Sequence, residues 1–423
     1  MNNNYRRAHV KKMVELILSN TGMRIIAATG PRQTGKTTVA IQACSQLTEL
    51  GFLCWYVPLD DPEFDLARYS NTTDPVRIGK QPSVQMLIDL WESAREASRK
   101  SERGLVLVLD EIQLIPRWSN LVKGLWDKDR RDGTPLRPVV LGSAAWRMLV
   151  GMNESLAGRF NTLNIKHWSF REITQVFKLN VEKYLFFGGY PGSILIREGH
   201  VQVDHWHDYI NNSIVRPVIG RDIMGLTSIK KPALMRQLID LAPYYSGQLI
   251  SYHKLLGQLQ DRGNSTMIAH YLNLLSDAGM VASLTRYTPS PHVGKASSPK
   301  LNVLNTALMT VPSGYTFQEA QIDRPFWGRI VESSIGAHLL NTRGIVTRIH
   351  YWRDPPYEVD FVISRGPHLL GIEVKSGESL KRHGLDAFKA RFPKARTMVV
   401  GPSGTSIQDF FSLSADEWLE KKI

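Results

Sequence analysis

At 423 residues the chain is longer than one typical hydrophobic core supports, so two or three domains are expected. Its 43% hydrophobic and 22% charged content is ordinary for a soluble globular protein. The net charge of +13 favours a polyanionic partner, but the excess is spread along the whole chain, which excludes a simple basic DNA-binding tail. Cys44 and Cys54 have no companions at metal-ligand spacing and suit core thiols in a reducing cytosol. The first dozen residues lack the apolar stretch of a secretory leader, and no run of about 18 apolar residues predicts a membrane span. A cytoplasmic protein without a membrane partner is the expectation.

Val10, Met13, Val14, Ile17 and Leu18 recur at helical spacing and predict an amphipathic helix within residues 1–20. Met23 to Thr29 reads as a buried strand. It enters Gly30-Pro31-Arg32-Gln33-Thr34-Gly35-Lys36-Thr37, followed by Thr38, which is a G-x-x-x-x-G-K-T phosphate-binding loop. Its glycines let successive N–H groups turn inward toward phosphate oxygens. Lys36 is placed to reach the β- and γ-phosphates, and Thr37 offers a hydroxyl to Mg²⁺. Thr38 to Gln46 reads as the helix that follows, its positive dipole end on the phosphates. Arg32 and Gln33 fill variable loop positions without a role of their own. The loop predicts ATP as ligand and Mg²⁺ as its companion.

Phe52 to Val57 is a further predicted strand and Gln85 to Ser98 a helix. Leu105 to Leu109 is a continuous apolar run, as expected of a central parallel strand buried on both faces. It ends in Asp110-Glu111, the Walker B arrangement, with Asp110 predicted to hold Mg²⁺ and Glu111 to act as general base toward water. Pro138 to Gly142 is another strand, and strands alternating with helices around a phosphate loop predict a parallel α/β sheet. Ser143 follows that strand, either orienting water near the γ-phosphate or capping a helix. Arg159 is either a γ-phosphate ligand, in cis or from a neighbouring subunit of a homo-oligomer, or a surface arginine.

Beyond about residue 165 the pattern turns helical, with helices expected at 171–177, 181–187, 203–215, 231–241, 252–260 and 265–278. Ser251 to Thr288 reads helix, turn, helix, strand, a winged-helix layout within about 231–310, with Ser265 expected to cap the second helix. That helix exposes Thr266, His270 and Asn273 with no Lys or Arg, which favours a protein-contact role over DNA reading. A helix at 327–341 then precedes strands at 346–353, 357–364 and 368–375 and a helix at 379–390. Asp360, Glu373 and Lys375 fit D-x₁₂-E-x-K on adjacent strands, and period two sets Glu373 and Lys375 on one face. Asp360 and Glu373, with Glu332 from the preceding helix, are candidate ligands for a second Mg²⁺ or Mn²⁺. Lys375 would position water for phosphodiester attack. A charged rim on a small α/β domain is the plainer reading of the same residues.

Taken in order, these motifs resemble the bacterial and archaeal AAA-type ATPases that carry a C-terminal PD-(D/E)XK nuclease-like domain and are generally described only as ATP-binding proteins. The residues that carry the resemblance are Gly30–Thr38, Asp110-Glu111-Ile112-Gln113 with Trp118, Gly142-Ser143, Ser155 to Arg159, Gly188 to Pro191, Glu358 to Phe361 and Gly371 to Gly377. The resemblance implies an AAA-like ATPase domain at 1–165, a helical and winged-helix region at 166–322, and a restriction-endonuclease-like domain at 323–423. Ala144-Ala145 departs from it, where relatives carry a more polar or leucine-rich run. Three functions stay open. One is an ATPase whose nucleotide state controls a nuclease-like domain that binds DNA or RNA. The second is an ATP-gated metal-dependent DNA nuclease, and the third a signalling-type ATPase switch that binds a protein partner and cuts nothing.

Overall fold

A computed structural model describes residues 5–19, 24–61, 82–142, 156–198, 203–223, 229–260, 263–289, 297–378 and 382–421. The chain divides into two compact units, Met1–Lys166 and His167–Ile423. The first is built on five parallel strands, β1 (Ile25–Thr29), β2 (Leu53–Pro58), β3 (Leu105–Asp110), β4 (Leu136–Leu141) and β5 (Phe160–Asn164), in the order β2-β3-β4-β1-β5. The parallel α/β sheet expected from the strand and helix alternation is therefore present.

Strand geometry explains why these runs are apolar throughout rather than alternating. Ile25 and Ala27 of β1, with Leu105, Leu107 and Leu109 of β3, pack on one face against Leu87, Leu90 and Trp91 and against Val122 and Trp126. Those residues lie on helices α3 (Val84–Lys100) and α4 (Trp118–Asp132). Ile26, Ala28, Val106 and Val108 face the other way, onto α1 (Ala8–Leu18) and α2 (Lys36–Glu49). With both faces covered, each successive side chain needs to be apolar. Of the five residues predicted to form the stripe of α1, Val10, Met13, Val14 and Ile17 are buried, while Leu18 is 45% exposed.

One charged cluster interrupts the first of these faces. Asp129 of α4 accepts a hydrogen bond from Trp91 Nε1 at 2.7 Å and is paired with the Arg95 guanidinium of α3. Arg95 also donates to the Leu125 carbonyl at 2.7 Å, and both charged side chains are buried. Removing Asp129 leaves the buried Arg95 with Glu92 alone as its counter-charge, at 2.5 Å. Asp129→Ala is expected to cost up to about 3–5 kcal/mol in unfolding free energy. Pairing it with Arg95→Met should recover much of that loss. Urea denaturation reads both values, and a single-variant loss below about 1 kcal/mol would show that the pair does not hold the two helices together.

The second unit contains a three-stranded antiparallel sheet, β6 (Gln248–Leu249), β7 (Val281–Leu284) and β8 (Lys300–Val303), in the order β6-β8-β7. Helices Tyr252–Gly257 and Ser265–Asp277 fall between β6 and β7. The cap of the second of these is Asn264, which accepts from the Met267 N–H at 2.8 Å, and not Ser265, which is already helical. On that helix Thr266 and Asn273 are exposed and His270 is half-buried.

A four-stranded sheet follows, ordered β12-β11-β10-β9, from β9 (Arg348–Asp354), β10 (Tyr357–Arg365), β11 (His368–Val374) and β12 (Arg396–Val400). Its β11–β12 pair is parallel and the others antiparallel. Helix His383–Arg391 covers one face through Leu385 and Phe388. The 19-residue helix Arg324–Thr342 lies against β8 at a close approach set by Gly336, where a Cβ would meet Asn302 Oδ1 at 2.1 Å and the Phe361 ring at 2.8 Å. Only glycine lets that backbone come so near.

Candidate functional site

The loop between β1 and α2 holds its shape through backbone demands that sequence alone made plausible. Gly30 has φ +152°, and a Cβ there would meet the Ile165 carbonyl oxygen at 2.0 Å. Gly35, at φ 85°, is the N-cap of α2 and offers no side chain to cap it, so the positive end of the helix faces the loop. Thr34 Oγ1 donates to the Pro31 carbonyl at 2.9 Å and pins the loop from inside. In this structure the Lys36 ammonium donates to the carbonyls of Gly30, at 3.0 Å, and Pro31, at 2.8 Å. Thr37 and Thr38 are exposed at the first turn of α2, and Gln33 takes a left-handed conformation at φ 59°.

Asp110, 4% exposed at the end of β3, is the anchor of the site. Its Oδ2 accepts from the Thr37 hydroxyl at 2.7 Å and from the Tyr56 hydroxyl at 2.8 Å, and its Oδ1 accepts from the Glu111 N–H at 2.9 Å. The two motifs, 73 residues apart, thus meet side chain to side chain. Glu111 lies just beyond, in a left-handed conformation at φ 55°, and its carboxylate accepts from the Gln113 amide. Such a conformation is uncommon for glutamate, and it turns the side chain out of the strand direction.

Two residues of this site went unnoticed in the sequence. Tyr56 looks like one more apolar strand residue, yet its hydroxyl is aimed at Asp110. Burial, and then the adjacent carboxylate, push its ionisation far above the usual phenol range. Arg7, buried ahead of α1, donates to the Thr34 carbonyl at 2.7 Å and to the Lys166 carbonyl at 3.2 Å, tethering the N-terminus to the loop. An alternation count hides the first and a helix count skips the second.

For Arg159 the structure favours the plainer reading, an arginine in a partly exposed ion pair. Its carbonyl accepts from the Ile25 N–H at 2.9 Å, so it lies at the start of β1 and β5, whereas the phosphate loop leaves the far end of β1. Five strand residues separate the two edges by about 15 Å. The guanidinium is engaged by Asp127, at 3.0 Å, with Trp126 beside it. This placement, at the edge of the sheet opposite the phosphate loop, speaks against action in cis on a nucleotide there. Ser143, with Ala144 and Ala145, lies outside the described residues.

In the second unit, Glu332 and Asp360 meet on a residue that the motif did not include, and Asp360 lies beside the strand that carries Glu373. Lys300 of β8, 1% exposed, sends its ammonium to Glu332 at 2.5 Å, Asp360 at 3.5 Å and Glu358 at 4.0 Å. Burial alone would lower the Lys300 pKa, but Glu332 and then Asp360 raise it above the ordinary lysine value, so it carries its charge. Burial pushes the Glu332 carboxyl above the usual carboxylate range, against the pull of Lys300. Asp360 Oδ2 accepts from the Val374 N–H at 2.7 Å, and Glu373 pairs with Lys375 at 2.5 Å. Among the described residues no group of three or more His, Cys, Asp and Glu is arranged to hold a metal ion.

Residues 22–174 match the family model of an AAA domain. Residues 178–318 and 327–411 match two domains of unknown function, DUF8612 and DUF4143. No curated protein sequence matches the chain. Among solved structures it is similar to the Walker-type ATPase PABY2304 of Pyrococcus abyssi, at 14% identity and TM-score 0.49 over 73% of this chain and 95% of that one. AMPPCP-bound DnaA from Aquifex aeolicus is similar at 14% identity and TM-score 0.32 over 65% and 90%. Cdc6p from Pyrobaculum aerophilum is similar at 14% identity and TM-score 0.34 over 73% and 95%. The family-model match makes residues 22–174 an AAA-type P-loop ATPase domain, a class that takes ATP with Mg²⁺. No described helix is long and apolar enough to cross a membrane.

Tyr56→Phe tests the unexpected member of the site. Loss of one buried hydrogen bond to a carboxylate should cost about 1.5–3 kcal/mol in urea unfolding. It should also raise the Mg²⁺ concentration needed for half-maximal nucleotide turnover, because Asp110 loses a fixed orientation. An unchanged Mg²⁺ dependence would make the hydroxyl purely structural.

Proposed function

We propose that this protein is a Mg²⁺-dependent ATP hydrolase whose nucleotide state governs a C-terminal nuclease-like domain that binds nucleic acid, DNA or RNA. The observation that carries the ATPase reading is the 2.7 Å contact between Thr37 and Asp110 at the mouth of the phosphate loop. Thr37 and Asp110 are the residues that would hold Mg²⁺, which when bound neutralises charge on the β- and γ-phosphates. Residues Gly30 to Thr38 wrap the phosphates. Lys36 exchanges its carbonyl partners for phosphate oxygens. Glu111 takes the proton from the attacking water once its carboxylate leaves Gln113.

Support for the nuclease-like reading of β9 to β12 is the D-x₁₂-E-x-K spacing on neighbouring strands, with Asp360 one step beyond the Phe361↔Ile372 pair and so opposite Glu373. The positive net charge supports a polyanionic partner, of which nucleic acid is one.

Lys36→Ala is expected to abolish nucleotide binding, read with a fluorescent ATP analogue. Glu111→Gln should bind normally and turn over at least about 100-fold more slowly. Wild-type turnover by Glu111→Gln would remove Glu111 from the reaction.

Arg159 keeps one route to the reaction, across a boundary between copies of this chain, and that route requires it to leave Asp127. Arg159→Ala would then bind ATP and hydrolyse it slowly, and mixing with Lys36→Ala protein should restore part of the rate. No rescue at any mixing ratio, in protein shown by light scattering to associate, would assign Arg159 to the Asp127 pair alone.

A further inference from the structure

The cluster on the C-terminal sheet already contains a cation. Lys300 is 1% exposed, so water cannot solvate its ammonium and the charge must be balanced by the groups it touches. Those are Glu332, at 2.5 Å, Asp360, at 3.5 Å, and Glu358, at 4.0 Å, with the Asp360 carbonyl accepting at 3.3 Å and the Phe361 ring centroid 5.0 Å away. Carboxylates converging from a helix and a strand are what a hard divalent ion also requires. Here the point of convergence is held by an ammonium.

The remaining oxygens do not make up a second place for a metal. Lys375 takes Glu373 Oε1 at 2.5 Å, and the Val374 N–H takes Asp360 Oδ2 at 2.7 Å. Glu358 is shared with Arg353 at 3.9 Å. Glu373 Oε2 is buried without a hydrogen-bond partner among the described residues. A divalent ion needs only one or two carboxylates when waters complete its shell, but here each candidate carboxylate already has an ammonium partner, Glu332 and Asp360 on Lys300 and Glu373 on Lys375. Any divalent ion drawing on Glu332 and Asp360 would also lie beside a buried charge of the same sign, where screening is weak.

We propose that Lys300 is the resident cation of this cluster, standing where a divalent metal ion would have to bind, so that the C-terminal domain keeps a nuclease-like fold without metal-dependent phosphodiester cleavage. The proposal rests on the nuclease-like reading of β9 to β12 and is independent of the ATPase assignment. Because Lys300 comes from β8, the same charge pair joins the antiparallel hairpin to helix Arg324–Thr342 and to β10. The domain that results can bind and cannot cut.

The test uses the full chain in an Asp110→Asn background, which removes the nucleotide-site ligand, titrated with Mn²⁺ alone and no nucleotide. Free Mn²⁺ is read by electron paramagnetic resonance. The Asp110→Asn protein should show no stoichiometric binding. Adding Lys300→Met should create one site, and adding Asp360→Asn should remove it again. Wild-type protein should leave supercoiled DNA, linear DNA and RNA uncut in Mn²⁺. Mn²⁺ binding or cleavage by protein with Lys300 intact, lost on Asp360→Asn, overturns the proposal. A folded Lys300→Met protein that binds no Mn²⁺ also overturns it. Should Lys300→Met fail to fold, the comparison with and without Asp360→Asn decides alone: no Asp360-dependent binding sustains the proposal, and such binding ends it. A gel shift of the same proteins with nucleic acid reads the nuclease-like assignment separately.

Discussion

The N-terminal unit is organised around one buried carboxylate. Asp110 closes an apolar strand, and at 4% exposure it must find protein donors in place of water. It finds three: the Thr37 hydroxyl at the start of α2, the Tyr56 hydroxyl near the end of β2, and the Glu111 N–H one residue on. The last is local, but the two hydroxyls come from distant parts of the chain and become available only when the β2–β3 register and the packing of α2 are correct. Satisfying that charge therefore fixes the phosphate loop against the sheet. It also delivers Glu111 to the rim of the same opening, where Gln113 holds it.

The second unit solves the opposite problem, a buried positive charge. Lys300 enters from a short hairpin strand, and the close approach allowed at Gly336 brings β8 against the helix that carries Glu332. Asp360 then meets it from β10. In low-dielectric surroundings a lone ammonium or a lone set of carboxylates would be costly, and together they compensate. The two units thus use buried charge differently. In the first, donors leave Asp110 positioned beside a loop built for phosphates; in the second, the cluster is closed upon itself by a lysine.

Much of this was legible in the residue order. The phosphate loop, the apolar strand that ends in Asp110-Glu111 and the parallel α/β class follow from contiguous motifs and short periods. Local steric and burial rules act over a few residues, and sequence states them directly. The strands at 357–365 and 368–374 and the long helix before them were equally readable from polarity and length. By contrast β5, Phe-Asn-Thr-Leu-Asn, has no apolar run, and only its pairing with β1 makes it a strand.

What tertiary structure alone decided is which distant side chains share a charge. Arg159 read equally as a phosphate ligand or a surface arginine, and parallel register sets it at the opposite edge of the sheet, on Asp127. Tyr56 read as core, and its hydroxyl reaches Asp110 because β2 and β3 lie side by side. Lys300 carries no signal along the chain, and packing made it the counter-charge of three carboxylates drawn from two elements. Sequence determines which residues can bend, alternate or cap, since those are properties of neighbours along the chain. Ion pairing across a core depends on register and on the approach of backbones, and these exist only once the chain has folded.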